Sequence, residues 1–529
     1  MAAKIKKKNN VKIPVQFVAA NKAVYLYVIL MLGIFPLFYR NNYINIMESK
    51  WLFFSITTLI CTGIVLISVV FQSVRNFEDV KPESAKAFFK GFSITDWCVV
   101  LLTVSVLLSW LFCDEKSTAW DGSAGKMAGV YFYLIIVLAY FIVSRFLKYD
   151  QWILTIYICC NFIVFGLAIL NHFMIDPLSM YVNLVEDNYW MFITTMGNIN
   201  VLAGYLCVFV PVTMVLFCFC TTMHSKIIYG IFMTVSFMGL IAANGDAGIL
   251  GIGCAFVFLL WFCFDNYNRL KRYFLMAALF FAGSGLIGWL DDKFADTVKE
   301  PLATLPAFIS KSSINKILLL FCIILTLLFY MLEKKNVADT SLRLIRNGLY
   351  IALGVVVLVG FGTFIYLSTA GSNIPLGDWE TYLRFSDLWG SSRGFTWKRV
   401  LYVYGNDYTF IQKLFGYGPD LLGLPLHNRF NDEILERMGA YLVDAHNETL
   451  QVLSTIGIFG MIGYMGTQLT ALVRYTKQYR EDPFLLAVAV GLVAYLVQGM
   501  MSSPQTFSTP MLIMAIAIGE SIIRRKDAK

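Results

Sequence analysis

The sequence predicts an all-α integral membrane protein, a polytopic bundle of about fourteen transmembrane helices with one large extracytoplasmic loop that contains short helices. Of the 529 residues, 58% are hydrophobic and 14% are charged, which is too much apolar surface for one water-soluble core. Apolar runs of roughly 17 to 25 residues, long enough to cross about 30 Å of hydrocarbon as helices, recur along the whole chain. A closed barrel would leave a different pattern.

Fourteen apolar runs are divided by short polar breaks, as expected of neighbouring helices in a bundle. They predict transmembrane helices at residues 23–39, 51–71, 95–113, 127–147, 151–170, 199–220, 227–243, 246–264, 273–290, 314–332, 345–368, 447–472, 484–501 and 508–523.

The positions of Lys and Arg predict the orientation, because basic residues are retained on the cytoplasmic side. With fourteen crossings, 27 of the 42 basic residues fall on one side, while the short loops opposite hold 8 and one long segment holds 7. The side with 27 begins with Lys4, Lys6, Lys7 and Lys8, so both termini are predicted to be cytoplasmic. The net charge of +8 is then expected to face membrane lipids, and no nucleic-acid partner is expected.

The predicted organisation has three parts. Residues 1–368 carry helices one to eleven, 369–446 form an extracytoplasmic catalytic loop, and 447–529 carry the last three helices and a cytoplasmic tail. The loop contains seven basic and nine acidic residues with interleaved aromatic side chains. It is therefore predicted to be a small folded elaboration that faces another molecule.

His446 is the first candidate catalytic residue, because it lies where this loop enters a helix and can meet water and a membrane-borne substrate together. A neutral imidazole is a competent general base near pH 7. The alternative is structural: Asp444 or Asn447 caps the helix, while His446 and Glu448 lie at the headgroup boundary.

The segment FGYGPD, which contains Gly416 and Gly418, is predicted to be a turn. Its glycines can leave backbone N–H groups free to face an anion. The alternative is an ordinary Gly-Pro turn that ends the preceding helix.

Three blocks of sequence resemble a known family of membrane proteins. In the first, His446-Asn447 is followed nine residues later by Gly457-x-x-Gly460; in the second, Arg393 lies four residues before Trp397 and an amphipathic run leads to LFGYGPD. The third is a Gly-Asn-x-Asn sequence at the start of an apolar run, GNIN, which ends at Asn200. In order and spacing these blocks resemble the O-antigen ligase and O-antigen polymerase superfamily of bacterial polysaccharide ligases and polymerases.

The resemblance implies a GT-C-type glycosyltransferase of the bacterial cytoplasmic membrane that acts in polysaccharide biosynthesis for the cell envelope. Its donor would be a glycan on a polyprenyl pyrophosphate such as undecaprenyl pyrophosphate. Its acceptor would be a hydroxyl of a glycan, lipid, protein or wall polymer at the extracytoplasmic face. Inversion at the anomeric carbon and no cofactor or metal are expected. Whether the chain is a polymerase or a ligase stays open.

The resemblance also implies site residues. His446 would take the acceptor proton and Arg393 would hold the pyrophosphate, since guanidinium offers a bidentate fork to phosphate oxygens; the alternative for Arg393 is a solvated pair with Asp387 or Asp407. The predicted donor-binding residues are Arg399, Arg384, Gly416, Gly418, Asn200 and Asn447.

One block departs from the family. Many members carry Ser-Arg at the start of a central helix, where this chain has Asn244-Gly245-Asp246-Ala247-Gly248. Either another cation replaces the arginine or the substrate is contacted differently, and Asp246 would then have an acidic role in the outer cavity.

Two other functions are considered. A lipid-linked oligosaccharide flippase suits a fourteen-helix chain, but transporters concentrate polar residues and broken helices near mid-membrane, whereas this chain gathers them in one outer segment. A peptidoglycan polymerase of the shape-and-division class shares the chemistry but matches the motifs less well. A metal site is disfavoured, because His172, His427 and His446 are far apart and lack ligand spacing.

Overall fold

The computed structural model of the chain describes residues 18–75, 91–123, 125–150, 152–335, 337 and 339–527. The basic residues Lys4, Lys6, Lys7 and Lys8, which carry part of the orientation argument, lie outside the described residues. The described chain is almost entirely helical, which confirms the all-α prediction. Its one sheet is a two-stranded antiparallel pair, β1 (Phe192–Ile193) with β2 (Gly197–Asn198).

The helices follow one another in chain order with short connections. They are α1 (Val18–Ile29, continued by a π turn over Leu30–Ile34), α2 (Ile46–Arg75), α3 (Ile94–Phe112), α4 (Lys116–Asp121), α5 (Val130–Phe146), α6 (Trp152–His172), α7 (Ile199–Phe219), α8 (Met223–Ala242), α9 (Asp246–Cys263), α10 (Tyr267–Lys293), α11 (Thr304–Lys311), α12 (Ser313–Lys334), α13 (Thr340–Ser368), α14 (Glu380–Leu383), α15 (Trp389–Tyr402), α16 (Phe410–Phe415), α17 (Gly423–Met438), α18 (Glu448–Gln478), α19 (Pro483–Gly499) and α20 (Ser508–Asp527).

Ten of the described helices are long and apolar enough to cross a membrane: α2, α3, α6, α7, α8, α9, α10, α12, α13 and α18. Three shorter apolar helices, Val18–Ile34, α5 and α19, accompany them. The last predicted run, 508–523, lies on α20, whose final turns carry Arg524 and Arg525. Each predicted apolar run thus overlaps a described helix, and the ten long apolar helices make the chain a multi-pass membrane protein.

The interior of the bundle is built around α7. Within its apolar stretch 94% of the residues are buried, whereas the apolar stretch of α13 has 0% buried. α7 packs against α19, α8 and α9, and it accommodates Pro211 inside the helix. The Cα of Gly491 lies close to the Val208 carbonyl, so that an added Cβ would come within 2.9 Å of its oxygen. Small residues thus let α19 approach α7.

The connections between helices fall into two groups by their mutual contacts. One group joins 35–45, 113–129, 173–198, 243–245, 294–303, 369–447 and 500–507; we call it the His446 end. There, Thr195 Oγ1 donates to the Pro36 carbonyl (2.7 Å) and Lys299 Nζ donates to the Phe192 carbonyl (2.8 Å). The other group joins 91–93, 147–150, 264–266 and 479–482 with the last turns of α20; we call it the Glu520 end. There, Tyr479 OH donates to Asp265 Oδ2 (2.8 Å) and Arg525 Nε donates to the Leu147 carbonyl (2.7 Å).

The 369–446 segment has a hydrophobic core of its own, separate from the main core of the bundle. It is formed by Phe395, Val400, Val403, Tyr408, Leu422, Leu426, Ile434, Leu442 and Ala445. A small core of this kind orders the segment above the helices and holds its functional side chains in place.

Candidate functional site

His446 lies in a strained turn that leads into α18. Its φ of +46° is in the left-handed region, which is costly for a residue with a Cβ and tends to occur at functional sites. Neighbouring bonds hold the turn: the Ala445 N–H donates to Gln451 Oε1 (2.9 Å), and Trp397 Nε1 donates to the Ala445 carbonyl (3.0 Å). The His446 side chain itself is exposed.

Asn447 is the N-cap of α18. Its Oδ1 accepts from the Leu450 N–H (3.0 Å), and its Nδ2 donates to the Met500 carbonyl (3.2 Å). The structural interpretation made from the sequence is confirmed for this residue, because capping satisfies one of the free N–H groups of the first turn. Its role in donor binding stays a prediction.

Asp444 organises the residues around His446. Its Oδ1 accepts from the His446 N–H (2.8 Å) and from Ser503 Oγ, and its Oδ2 pairs with Lys126 Nζ (2.8 Å). Burial disfavours the carboxylate, but Lys126, His446 and the hydrogen bonds together lower the pKa of Asp444 to about 2. Asp444 is therefore a carboxylate at neutral pH.

Arg393 lies next to this group, after three consecutive residues with left-handed backbone, Gly390, Ser391 and Ser392. Its Nη1 donates to the Gly390 carbonyl (2.7 Å), while its Nε is buried without a hydrogen-bond partner among the described residues. Burial lowers the pKa of Arg393, and the charges of Asp246 and Asp444 raise it. Arg393 therefore interacts electrostatically with both carboxylates, without a direct ion pair to either among the described residues.

The predicted alternative for Arg393, an ion pair with Asp387 or Asp407, is not what the structure contains. Asp387 pairs with Lys398 Nζ (2.8 Å) and with Arg399 (3.2 Å). Asp407 lies 4.0 Å from Arg429. Arg393 forms no ion pair with a described residue, and its Nη1 donates only to the Gly390 carbonyl.

Although His446 is in contact with solvent, the protein around its ring partly desolvates the imidazole, and this lowers the pKa of His446 below its ordinary value. The carboxylate of Asp444 raises it, while the charges of Arg393 and Lys126 lower it further. The imidazole is consequently neutral at pH 7 and can accept a proton. We call Lys126, Arg393, Asp444, His446 and Ser503 the His446 cluster.

Asp246 is the first residue of α9, and its Oδ1 is buried without a hydrogen-bond partner in the described part of the chain. Asn244, two residues before Asp246, has a left-handed backbone (φ +57°). Its Nδ2 donates to the Pro301 carbonyl (3.1 Å), and its Oδ1 accepts from the Ala303 N–H (2.6 Å). The start of α9, where this chain lacks the Ser-Arg of the resembled family, is thus held against the 294–303 connection.

Asn200 lies in the first turn of α7. Its N–H donates to Asn198 Oδ1 (2.8 Å), and its carbonyl accepts from Gln498 Nε2 (3.4 Å). Gln498 belongs to the end of α19, two residues before Met500, whose carbonyl binds Asn447. Asn200 is therefore linked to the His446 turn through the end of α19, and its side chain contacts stay a prediction.

Gly416 and Gly418 have positive φ values and pack closely against other elements. Both N–H groups and that of Tyr417 are occupied: Gly416 donates to the Gln412 carbonyl (2.7 Å), Tyr417 to Ser454 (3.0 Å) and Gly418 to Thr455 (3.1 Å). A Cβ on Gly416 would lie 2.2 Å from the Thr455 backbone. α18 is interrupted at Gly457, and the N–H groups of the turn donate to carbonyls beside this break. Close packing and these bonds explain why both positions are glycine, without a bound anion.

Arg384 and Arg399 are engaged inside the 369–446 segment. Arg384 binds Glu380 (2.9 Å) and the Leu367 and Ile374 carbonyls, which fixes the end of α13. Arg399 pairs with Asp387 and Glu433 and stacks on the Phe395 ring at 4.0 Å. These contacts support the fold of the segment and leave a donor-binding role for either arginine as a prediction.

Two members of the site, Lys126 and Ser503, went unnoticed at the level of sequence, and a third residue, Glu448, was expected at the headgroup boundary but is buried. Lys126 had a detectable signal, since it is a basic residue in a short loop on the predicted outer side, against the general distribution. Ser503 has no local signal. Glu448 is buried, and it accepts from Tyr495 OH (2.6 Å) and Tyr464 OH (3.1 Å), which anchors the first turn of α18.

The described residues contain no group of three or more His, Cys, Asp or Glu side chains placed to hold a metal ion. No protein-family model matches the chain, and no curated protein matches it either.

Proposed function

We propose that the chain is a membrane glycosyltransferase that moves a glycan from a polyprenyl-pyrophosphate donor to a hydroxyl acceptor at the His446 end. The observation that carries the proposal is the His446 cluster: a neutral, exposed imidazole beside two cations and one carboxylate, at one end of a bundle of apolar helices. The three sequence blocks supply the substrate class.

The charges suit a diphosphate leaving group. Arg393 presents a guanidinium whose Nε has no hydrogen-bond partner in the described chain, and Lys126 adds a second cation that is paired with Asp444. Positive groups fixed where negative charge develops in the transition state are often the largest single catalytic effect. Here they would stabilise the departing polyprenyl diphosphate without a metal.

The reaction is a single in-line displacement. His446 takes the proton of the acceptor hydroxyl while its oxygen attacks the anomeric carbon of the donor sugar. The bond from that carbon to the diphosphate oxygen breaks, and the electron pair leaves with the polyprenyl diphosphate. The configuration inverts, and the imidazolium returns its proton to solvent.

The proposal includes the full topology: fourteen crossings, both termini cytoplasmic and the site outside the bacterial cytoplasmic membrane. Two observations support it. The connections assigned to the outer side contact one another at the His446 end, and those assigned to the inner side meet at the Glu520 end. The excess of basic residues on the inner side agrees with this order.

The test is transfer by the purified full chain in nanodiscs, with a polyprenyl-pyrophosphate oligosaccharide, an acceptor and a chelator. The products are then sized. A ladder of products identifies a polymerase, and one capped acceptor identifies a ligase. Movement of the donor across the bilayer without bond formation identifies a flippase and would refute transfer. Products with a peptidoglycan donor alone identify the shape-and-division class.

His446→Ala is the decisive variant, and His224→Ala is its control because His224 is exposed at the start of α8. We expect His446→Ala to lower turnover by about 10² to 10⁴, the usual contribution of a general base, while His224→Ala leaves it unchanged. A well-folded His446→Ala protein with full turnover removes His446 as the base.

A further inference from the structure

A cavity with a volume of about 510 Å³ lies at the His446 end, between the 173–198 and 294–303 connections. None of its lining residues belongs to the His446 cluster. We infer that this cavity is a subsite for sugar residues of the glycan, distant from the bond that is made. The inference rests on the proposed function, which supplies the glycan. We call the cavity the Trp190 pocket.

The pocket combines aromatic and acidic side chains. Tyr189 and Trp190 lie on one wall, Glu186, Asp187 and Glu300 contribute carboxylates, and Lys299 is also part of the lining. The Trp190 side chain is 48% exposed. The volume falls within the roughly 300 to 1,000 Å³ of typical small-ligand sites.

The walls of the pocket are held together before any ligand binds. The Lys299 N–H donates to the His172 carbonyl (2.9 Å), and Lys299 Nζ donates to the Phe192 carbonyl (2.8 Å). Tyr181 OH donates to the same carbonyl (2.8 Å), and its ring lies 5.0 Å from that of Tyr189. The 173–198 and 294–303 connections therefore form one rigid surface, which reduces the entropic cost of binding.

Sugar rings suit this lining. A pyranose has an apolar face of C–H groups that can stack on an exposed indole, and hydroxyls around its rim that donate to carboxylates. Glu300 interacts electrostatically with Lys299, whereas neither Glu186 nor Asp187 forms an ion pair or a side-chain hydrogen bond with a described residue. Their acceptor oxygens are free for hydroxyls or for an amino sugar.

Two other occupants fit less well. Three carboxylates against one ammonium give the pocket a negative charge, which repels a diphosphate. Trp and Tyr are also common at the membrane surface, but unpaired carboxylates resist burial beside hydrocarbon and anionic headgroups. A neutral or amino-bearing saccharide is the occupant that uses both the aromatic and the acidic groups.

The 294–303 connection, which lines the pocket, also contacts the start of α9 near the His446 cluster. Glu300 precedes Pro301, whose carbonyl accepts from Asn244 Nδ2 (3.1 Å). Two residues further along, Asp246 acts electrostatically on Arg393. A glycan whose reactive end lies at Arg393 can therefore extend over the 294–303 connection toward Trp190.

The experiment measures binding without catalysis. Wild-type protein in nanodiscs, Trp190→Ala, Glu186→Gln and the control Trp289→Ala are applied to an array of defined neutral, acidic and amino-bearing microbial oligosaccharides. Trp289 is a comparably exposed indole (55%) on α10 and is not part of the pocket lining. We expect neutral or amino-bearing oligosaccharides to bind the wild type and the Trp289→Ala protein. Trp190→Ala should weaken this binding at least tenfold, and Glu186→Gln should weaken it less.

Absence of any bound oligosaccharide on the array overturns the inference, as does equal binding by Trp190→Ala. If Trp190→Ala lowers only the melting temperature in nanodiscs, Trp190 is a membrane-surface residue and the subsite does not exist. His446→Ala separates this inference from the proposed function: it should abolish transfer while keeping array binding. Full transfer by His446→Ala would refute the function and leave the binding result intact.

Discussion

Both ends of the bundle contain charged side chains, but they use them differently. At the Glu520 end, Asp96 and Glu520 are each 0% exposed, and every carboxylate oxygen has a partner. Asp96 accepts from Tyr140 OH (2.8 Å), from Arg145 (3.2 Å), from Arg524 and from the Ser93 N–H. Glu520 accepts from Arg474, Tyr475 and Ser93.

Both ends contain buried polar atoms without a hydrogen-bond partner among the described residues, including Arg145 Nη2 and Arg524 Nε at the Glu520 end. The His446 end differs in its backbone conformation and in the exposure of its titratable residue. The His446 ring is exposed, Arg393 Nε and Asp246 Oδ1 have no hydrogen-bond partners among the described residues, and the backbone is left-handed at His446 and before Arg393. Strain and unpaired polar atoms reduce stability and persist where they serve a site. The ion pairs of the Glu520 end therefore stabilise the bundle, whereas the His446 end carries the strained and exposed residues on which the proposed function rests.

The largest expected difference between the two ends is in activity. Arg393→Ala should lower kcat/KM for the lipid-linked donor by about 10² to 10³, as expected for loss of a fixed donor to developing charge. Arg393→Lys should retain part of the activity, because it keeps the charge but loses the bidentate fork. Transfer kinetics in nanodiscs measure both. A folded Arg393→Ala protein with unchanged kcat/KM would show that Arg393 does not contact the leaving group.

Arg474→Ala provides the opposite result at the Glu520 end. It leaves the buried Glu520 without its closest cation, so the free energy of unfolding should fall by roughly 2 to 4 kcal/mol. This is somewhat less than for a fully buried pair, because Arg474 is partly exposed. Turnover per folded molecule should not change. Thermal unfolding in nanodiscs, with activity normalised to the folded fraction, tests this; unaltered stability would mean that the two ends do not differ as described.

The fold was largely predictable because membrane helices require long apolar runs, and each run satisfies its own backbone. The site was predictable only where its residues share a local pattern, as His446 and Asn447 do. Lys126 reaches the 443–444 turn from 317 residues away in sequence, and Ser503 reaches Asp444 from 59. Nothing in the sequence near those residues specifies such pairings.

The glycines and arginines of the 369–446 segment show a related limit. Gly416 and Gly418 were correctly placed in a turn, but the carbonyls that accept from Tyr417 and Gly418 belong to Ser454 and Thr455, beside a helix break at Gly457 in α18. Arg384 and Arg399 are the same residue type as Arg393, and only the folded structure shows their acidic partners. Residue type alone does not separate a structural cation from one available to substrate.

A smaller effect is expected at the Lys126–Asp444 pair. The folded-state pKa of Asp444, about 2, lies below its ordinary 3.8, so the carboxylate stabilises the protein above pH 4. This stabilisation, on the order of 2 kcal/mol, is lost as pH falls from about 4 to 2. Lys126→Ala should remove much of it, and Asp444→Asn in the same chain should restore part of the stability at pH 7. A double-mutant cycle from unfolding curves measures the coupling, and additive effects would contradict the pairing.

The smallest expected effect is a shift of the acid limb of the activity profile. The pKa of His446 is lowered by burial and by the charges of Arg393 and Lys126, and the base works only when neutral. Activity should therefore persist below pH 6.5 and fall as pH drops through the lowered value. Lys126→Ala removes one of the cations that lower this pKa, so the acid limb should move to higher pH while the plateau keeps its shape. Profiles of kcat/KM against pH for the wild type and Lys126→Ala test this, with His224→Ala as the control. A limb that stays fixed in Lys126→Ala would mean that His446 is not the titrating base, because the Lys126 charge lowers the pKa of its imidazole.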